Sequence, residues 1–353
     1  MLRATYTSYF LQFKFPAGTS RGTLLNKETW FIKVWEESDP TVYGIGECAL
    51  FRGLSKDDKP EYNDKLKEVC KYINNQQFIN KELITWPSIR FGVEAALLDL
   101  KQGGNRILYP SMFTQGKAGI PINGLIWMGS AEFVKKQIGE KLNAGFRCLK
   151  MKVGAIKLQE ELELIKEIRK DFGPQVLEIR LDANGAFPPA EALKILEQFS
   201  TYSIHSVEQP IKAGNIEHLT EICGLSPIPI ALDEELIDNQ MIEDKQQLLT
   251  TVKPQYIIVK PALTGGFSGA KEWIELAKAM NIGWWITSAL ESNVGLNAIA
   301  QWTYYLGVNV TQGLGTGSLY SNNFASPLFI NNQALQMDTK MGWDLTSIRF
   351  NER

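Results

Sequence analysis

The chain has 353 residues, 44% of them hydrophobic and 22% charged, so it can bury an extensive core and lacks the compositional signature of disorder. Its 37 basic and 39 acidic residues are interspersed, giving a net charge of −2, which argues against a nucleic-acid or anionic-membrane partner because either requires a basic block. A single core rarely grows past roughly 250–300 residues, so this length predicts one large domain with a smaller attachment.

The first ten residues alternate polar and apolar side chains where a secretory signal would show an unbroken apolar run, so a strand is expected. Residues 4–15, 28–37 and 42–50 carry period-two patterns rich in Tyr, Phe, Trp and Val, with a turn at Ser38-Asp-Pro, and predict an antiparallel meander. Tyr62, Leu66, Val69, Cys70 and Ile73, then Ile89, Val93, Ala96, Leu97 and Leu100, recur at helical spacing. Residues 1–118 therefore read as an α+β unit. The strand-like stretch 330–353 is expected to pack back on it. No run reaches ~18 uninterrupted apolar residues, so no membrane helix is expected. Cys48, Cys70, Cys148 and Cys223 lie far apart with no C-x-x-C, which predicts free thiols and a cytoplasmic protein.

From residue 119 short apolar runs alternate with amphipathic helices, the pattern of repeated βα units. Strands are predicted near 120–125, 146–152, 178–182, 204–208, 228–233, 256–260, 284–288 and 308–312. Helices between them are marked by Leu158, Leu162, Ile165 and Ile168, and by Ala270, Trp273, Ile274 and Ala277. Eight strands at this spacing predict a closed TIM-type (β/α) barrel over 119–329, with an open doubly wound sheet as the alternative. The fold class is α/β.

Barrel enzymes carry their chemistry at the C-terminal ends of the strands. The polar residues there are Lys150 and Lys152, Asp182, Glu208, Asp233, Lys260 and Ser288. Lys152 is followed by Asp182 after 30 residues, Glu208 after 26, Asp233 after 25 and Lys260 after 27, each step one βα unit. Three carboxylates on one rim repel unless a hard dication lies between them, which suits Mg²⁺, with Mn²⁺ as a substitute. The period of two puts Lys150 and Lys152 on one face of their strand, and their mutual repulsion is expected to lower a lysine pKa towards that of a base.

In that order K-x-K, D-x-N, E-Q-P, D-E and K-P, together with Gly44-Ile-Gly-Glu-Cys and the stretch Pro87–Leu100, resemble the enolase superfamily in its muconate-lactonising branch. The resemblance implies a modified barrel with an α+β capping domain, Asp182, Glu208 and Asp233 as metal ligands, and Lys152 and Lys260 on opposite faces of a small carboxylate substrate. Lys150 would tune Lys152 or contact that substrate, with Ser288 beside it. Thr287–Gly295 is most similar to the seventh-strand segment of the branch's o-succinylbenzoate synthases, which implies a dehydratase of menaquinone synthesis. An N-acylamino-acid racemase or dipeptide epimerase is the alternative, although the chain has no acidic residue between Glu291 and Asp338, where dipeptide epimerases carry a D-x-D pair. A non-catalytic ligand-binding barrel would lack a catalytic group, and none is missing. Cap loops at 15–22 and 51–55 are expected to close over the substrate, with Arg21 and Arg52 meeting an anionic tail. The Gly313–Ser318 run lacks the Walker lysine and reads as a rim loop. His205 and His218 read as structural, and Trp284-Trp285 as one outward and one inward ring.

Overall fold

The computed structural model describes residues 1–19, 22–127 and 129–350. Strands β1 (Leu2–Thr19), β2 (Gly22–Glu36) and β3 (Asp39–Cys48) form the antiparallel meander, with pairs running from Leu2↔Glu36 and from Trp30↔Cys48. Trp30, Ile32 and Val34 alternate onto one face, where α1 (Tyr62–Lys71), α2 (Gln76–Glu82) and α3 (Pro87–Lys101) cover them with Tyr62, Leu66, Ile89 and Val93. Helix α3 lies so close to β3 that a Cβ on Gly44 or Gly46 would collide with the carbonyls of Ala96 and Gly92. That is why this strand needs its two glycines.

Next come β4 (Ile120–Pro121), β5 (Gly124–Ile126), α4 (Ala131–Asn143), β6 (Cys148–Lys152), α5 (Leu158–Asp171), β7 (Glu178–Asp182), α6 (Pro189–Ser200), β8 (Ser206–Glu208) and α7 (Ile216–Leu225). The repeat continues with β9 (Ile230–Leu232), α8 (Ile242–Val252), β10 (Tyr256–Val259), α9 (Gly266–Ala279), β11 (Gly283–Ile286) and α10 (Asn293–Tyr305). Strands β5 to β11 lie side by side in chain order, all parallel. Leu149, Ile179, Val207, Leu232 and Ile257 point outward to the helix layer, while Ala231, Ile258 and Trp285 fill the lumen with Tyr256. Trp284 faces outward under Lys278, whereas Trp285 stacks inside against the Arg180 guanidinium at 4.2 Å.

An eighth strand at 308–312 does not form. Among the described residues the ring is closed by two bridges, Gln312 to Ile122 and Gly313 to Thr287. The seam is sewn by Gln312 N to Pro121 O at 2.8 Å, Asn123 N to Gln312 O at 3.0 Å and Gly313 N to Ile286 O at 2.8 Å. A Cβ at Gly313 would strike the Thr287 side chain, so the glycine permits the approach that the absent strand would otherwise supply. The C-terminal stretch divides between the two parts. Hairpin β12 (Leu328–Asn331) and β13 (Ala334–Met337) pairs with β4 through Leu335↔Ile120, whereas Trp343, Leu345, Ile348 and Phe350 cover Phe31 and Ile45 of the meander.

Two cap carboxylates join the units. Glu94 on α3 accepts from Phe267 N at 2.6 Å and Ser268 N at 3.3 Å at the start of α9, and Glu47 on β3 accepts from Ser292 N and Gly295 N at 3.0 Å at the start of α10. Unpaired N–H groups and the positive dipole end make a helix N-terminus a natural seat for a carboxylate. No helix among the described residues is long and apolar enough to cross a membrane, and all four cysteines are free.

Candidate active site

Parallel register delivers the candidate residues to one level. Lys152 lies opposite Asp182 and Asp182 opposite Glu208, while Asp233 and Lys260 directly follow β9 and β10. The row Lys152, Asp182, Glu208, Asp233, Lys260 thus runs across five neighbouring strands, all on the lumen side. Lys150 Nζ lies 2.9 Å from Asp182 Oδ2 and 2.7 Å from Glu208. Lys152 Nζ is 2.9 Å from the same Asp182 oxygen and also donates to Asn184 Oδ1, and Lys260 Nζ pairs with Asp233 Oδ2. Turns after β7 and β8 put Asn184 and Gln209 at φ of 43° and 39°, conformations that asparagine tolerates better than glutamine. Gln209 Oε1 accepts from the backbone N–H groups of Asp233 and Glu235, both at 3.2 Å, which holds the Asp233 turn beside Glu208.

The electrostatics correct one expectation. Burial alone would lower the Lys150 ammonium, but Asp182 and Glu208 outweigh it and hold the pKa above its ordinary value. Lys260 is likewise raised, burial being overcome by Asp233 and Glu208. For these two lysines ammonium repulsion does not win, because each Nζ is in direct contact with a carboxylate oxygen of opposite charge. Burial opposes ionisation of Asp182, yet Lys150 and Lys152 hold its carboxyl well below the carboxylate range. Glu208 is pushed far up by burial and then by Asp182, and Glu234 is raised by burial and by Asp233.

These carboxyl groups bear on a metal. Asp182, Glu208 and Asp233 offer only carboxylate oxygens, the donor type a hard dication takes, and with Glu234 they set four carboxyl groups against the ammonium groups of Lys150, Lys152 and Lys260. Glu234 accepts from Asn184 Nδ2 at 3.0 Å and keeps a second buried oxygen, Oε2, without a hydrogen-bonding partner among the described residues. Donor chemistry and charge therefore fit a divalent cation. Among the described residues no three such groups already enclose a metal position, since the Lys150 and Lys260 ammonium groups lie on the oxygens a cation would use.

Of these groups Lys150, Lys152, Asp182, Asn184, Glu234 and Lys260 line a cavity of about 830 Å³, its mouth included, while Glu208 and Asp233 lie buried behind them. Phe51 and Leu54 form its cap wall, Leu125 and Trp127 one barrel wall, and Thr287–Leu290 with Gly313, Gly315 and Thr316 the other. The 51–55 loop and the glycine-rich rim loop are therefore where the sequence puts them. Ser288 lines the cavity, but its hydroxyl donates to Glu291 at 2.5 Å and accepts from Thr316 Oγ1 at 2.9 Å and Leu290 N at 3.0 Å. All three of its hydrogen-bonding positions are taken by protein, so it shapes the wall rather than offering a hand to a ligand. Arg52 does not reach the cavity: Glu28 at 2.6 Å and Asp58 at 2.7 Å hold its guanidinium at the surface. Arg21 lies outside the described residues. Leu125, on the short strand β5, and Trp127, just after it, carry no signal in the sequence, and Thr287, at the head of the Thr287–Gly295 segment, has a buried hydroxyl with no partner among the described residues. His205 stacks with Tyr256 and Trp285 at the opposite end of the lumen.

A lumen row of lysines and carboxylates at successive strand ends, under an α+β cap, defines a class, and the chain belongs to it: residues 134–346 match the enolase C-terminal domain-like family, and the protein is a member of the enolase superfamily, whose enzymes depend on a divalent metal. Within that class it is similar to the o-succinylbenzoate synthase of Desulfotalea psychrophila, at 43% identity over 93% of this chain and 97% of the relative. The crystal structure of MenC from the same organism superposes with a TM-score of 0.83 at 40% identity, covering 95% of this chain and 99% of that one. The L-Ala-D/L-Glu epimerase of Bacillus subtilis superposes with a TM-score of 0.79 over 96% of this chain and 97% of its own, but at 21% identity that likeness speaks for the fold alone.

Proposed function

We propose that the protein is a cytoplasmic hydro-lyase of menaquinone synthesis that eliminates water from 2-succinyl-6-hydroxy-2,4-cyclohexadiene-1-carboxylate to give o-succinylbenzoate. The 43% identity to an o-succinylbenzoate synthase along nearly the whole chain carries this reading. In it, Asp182, Glu208 and Asp233 would hold one Mg²⁺, for which Mn²⁺ could substitute. When bound, that ion supplies positive charge to the substrate carboxylate. Lys152 removes the proton α to that carboxylate. Lys260, at the far end of the row, offers its ammonium to the negative charge that builds up on the carboxylate oxygens, and Lys150 fixes Asp182 and Glu208 between them. The protonated Lys152 then returns its proton to the departing hydroxide, so one C–H and one C–O bond break, water leaves and the ring becomes aromatic. A single lysine serving both steps fits syn geometry.

The test assays the protein on the cyclohexadiene carboxylate and on an N-succinylamino acid in parallel. Efficient dehydration is expected. Racemisation of the amino acid with negligible dehydration would overturn the reading in favour of a racemase.

A further inference from the structure

The cap meets the barrel through a buried cluster that this chemistry does not use. Lys27 on β2 is only 6% exposed, and its Nζ has no hydrogen-bonding partner among the described residues. Two fully buried carboxylates act on it, Glu47 from β3 and Glu291 from the turn after β11. Both oxygens of Glu47 are occupied, by Thr29 Oγ1, by the N–H and hydroxyl of Ser292 and by Gly295 N. Glu291 uses one: Oε2 accepts the Ser288 hydroxyl, and Oε1 has no hydrogen-bonding partner among the described residues. Burial lowers the Lys27 pKa against the pull of Glu47 and then Glu291, and burial raises that of Glu291 against the pull of Lys27, so the Lys27 ammonium is the counter-charge of a desolvated Glu291.

The charge on Glu291 matters to the cavity because Ser288 is a branch point. Its hydroxyl is held by Glu291 and in turn receives Thr316 and Leu290 N, while Tyr320 OH donates to Leu290 O at 2.7 Å. Ser288, Leu290 and Thr316 all line the cavity. We propose that Lys27 is a positioning residue for the substrate cavity: from the cap it supplies the counter-charge that keeps Glu291 an acceptor, and so fixes the Ser288 hydroxyl and the Leu290–Thr316 wall. Without the ammonium, Glu291 takes up a proton and competes to donate to Ser288. That hydroxyl then turns and releases Thr316 and Leu290. The inference rests on the proposed dehydratase reading only for the identity of the substrate.

The experiment compares wild type, Lys27→Met, Glu291→Gln and the double variant by KM, kcat and the calorimetric Kd of o-succinylbenzoate. Lys27→Met should raise KM and Kd ~10-fold while kcat changes less than ~3-fold, because the wall moves and the lysine–carboxylate row does not. Adding Glu291→Gln, whose amide oxygen still accepts from Ser288, should restore both to within ~3-fold of wild type. Unchanged KM and Kd in Lys27→Met, or a loss that the second substitution does not relieve, overturns the proposal. Should Lys27→Met fail to fold, the double variant, in which Glu291 no longer carries a charge and Glu47 keeps its hydrogen bonds, is set against wild type and Glu291→Gln. KM and Kd within ~3-fold of wild type in both, because the introduced amide oxygen accepts from Ser288 with or without the ammonium, support the inference, and a KM or Kd raised in the double but not in Glu291→Gln overturns it. If wild type racemises N-succinylamino acids instead, the proposed function fails, and the same four proteins on that substrate decide the role of Lys27 separately.

Discussion

Replacing Glu47 by alanine tests how firmly the cap is seated. Its side chain is wholly buried and accepts from Thr29 Oγ1 at 2.9 Å, Ser292 N at 3.0 Å, Ser292 Oγ at 2.6 Å and Gly295 N at 3.0 Å. A hydrogen bond to a charged group contributes about 1.5–3 kcal/mol, and bonds converging on one carboxylate do not add fully, so truncation should cost about 3–5 kcal/mol. The two N–H groups at the start of α10 are left in a site that water reaches poorly, which places the effect in the upper half of that range. Unfolding entropy of about 2 cal/mol/K per residue over this chain converts the loss into a fall in Tm of roughly 4–7 °C. Differential scanning calorimetry beside wild type measures it, with urea midpoints as a second reading. A loss below about 1 kcal/mol would refute the argument, because it would mean that the cap does not depend on this carboxylate for its place on the barrel.

Chelation should abolish dehydration and Mg²⁺ should restore it without refolding; full turnover in the metal-free protein would refute the assignment of Asp182, Glu208 and Asp233. Lys152→Ala should be essentially inactive, whereas Lys260→Arg, which keeps a cation of different shape, should retain some dehydration but no racemisation, as α-proton exchange in D₂O followed by NMR will show. Burial raises the Glu161 carboxyl from 4.5 to about 7 although Gly154 N donates to it at 2.7 Å. A raised folded pKa gives stability that is complete below the unfolded value and lost as pH climbs to about 7, so Glu161→Gln should remove that decline and stabilise the protein at pH 8 by at most about 3 kcal/mol. Parallel unfolding curves for wild type and variant between pH 5 and 8 would show no such dependence.

Where a side-chain pattern encodes an element, the sequence shows it. Trp30, Ile32 and Val34 alternate because one face of the meander meets α1 and α3, and Lys150 to Lys260 are spaced by βα units because strand ends share one rim. Residues 312–313 carry no pattern, since two backbone bridges close the ring and leave nothing for periodicity to record. Arg52 looks available in sequence, but its partner Glu28 lies 24 residues away on a strand whose register only the fold defines. The same holds for the lysine charges: repulsion within Lys150-Met-Lys152 is visible locally, whereas the nearer carboxylates come from two other strands. Ser288 was found by position, and its full set of partners, including Thr316 on a different loop, was beyond reach of position alone.

The seam at residues 312–313 and the pairing of β13 with β4 also set an order of events. The barrel's first stave has no neighbour on its open side until the segment from 312 to 337 arrives, and the meander waits for 343–350 to cover Phe31 and Ile45. Both units are thus completed only by segments that follow residue 311 in the chain. Contacts this distant in sequence make closure slow, and a nascent chain stalled near residue 300 would expose an open sheet edge, the kind of surface that chaperones shield and that otherwise aggregates.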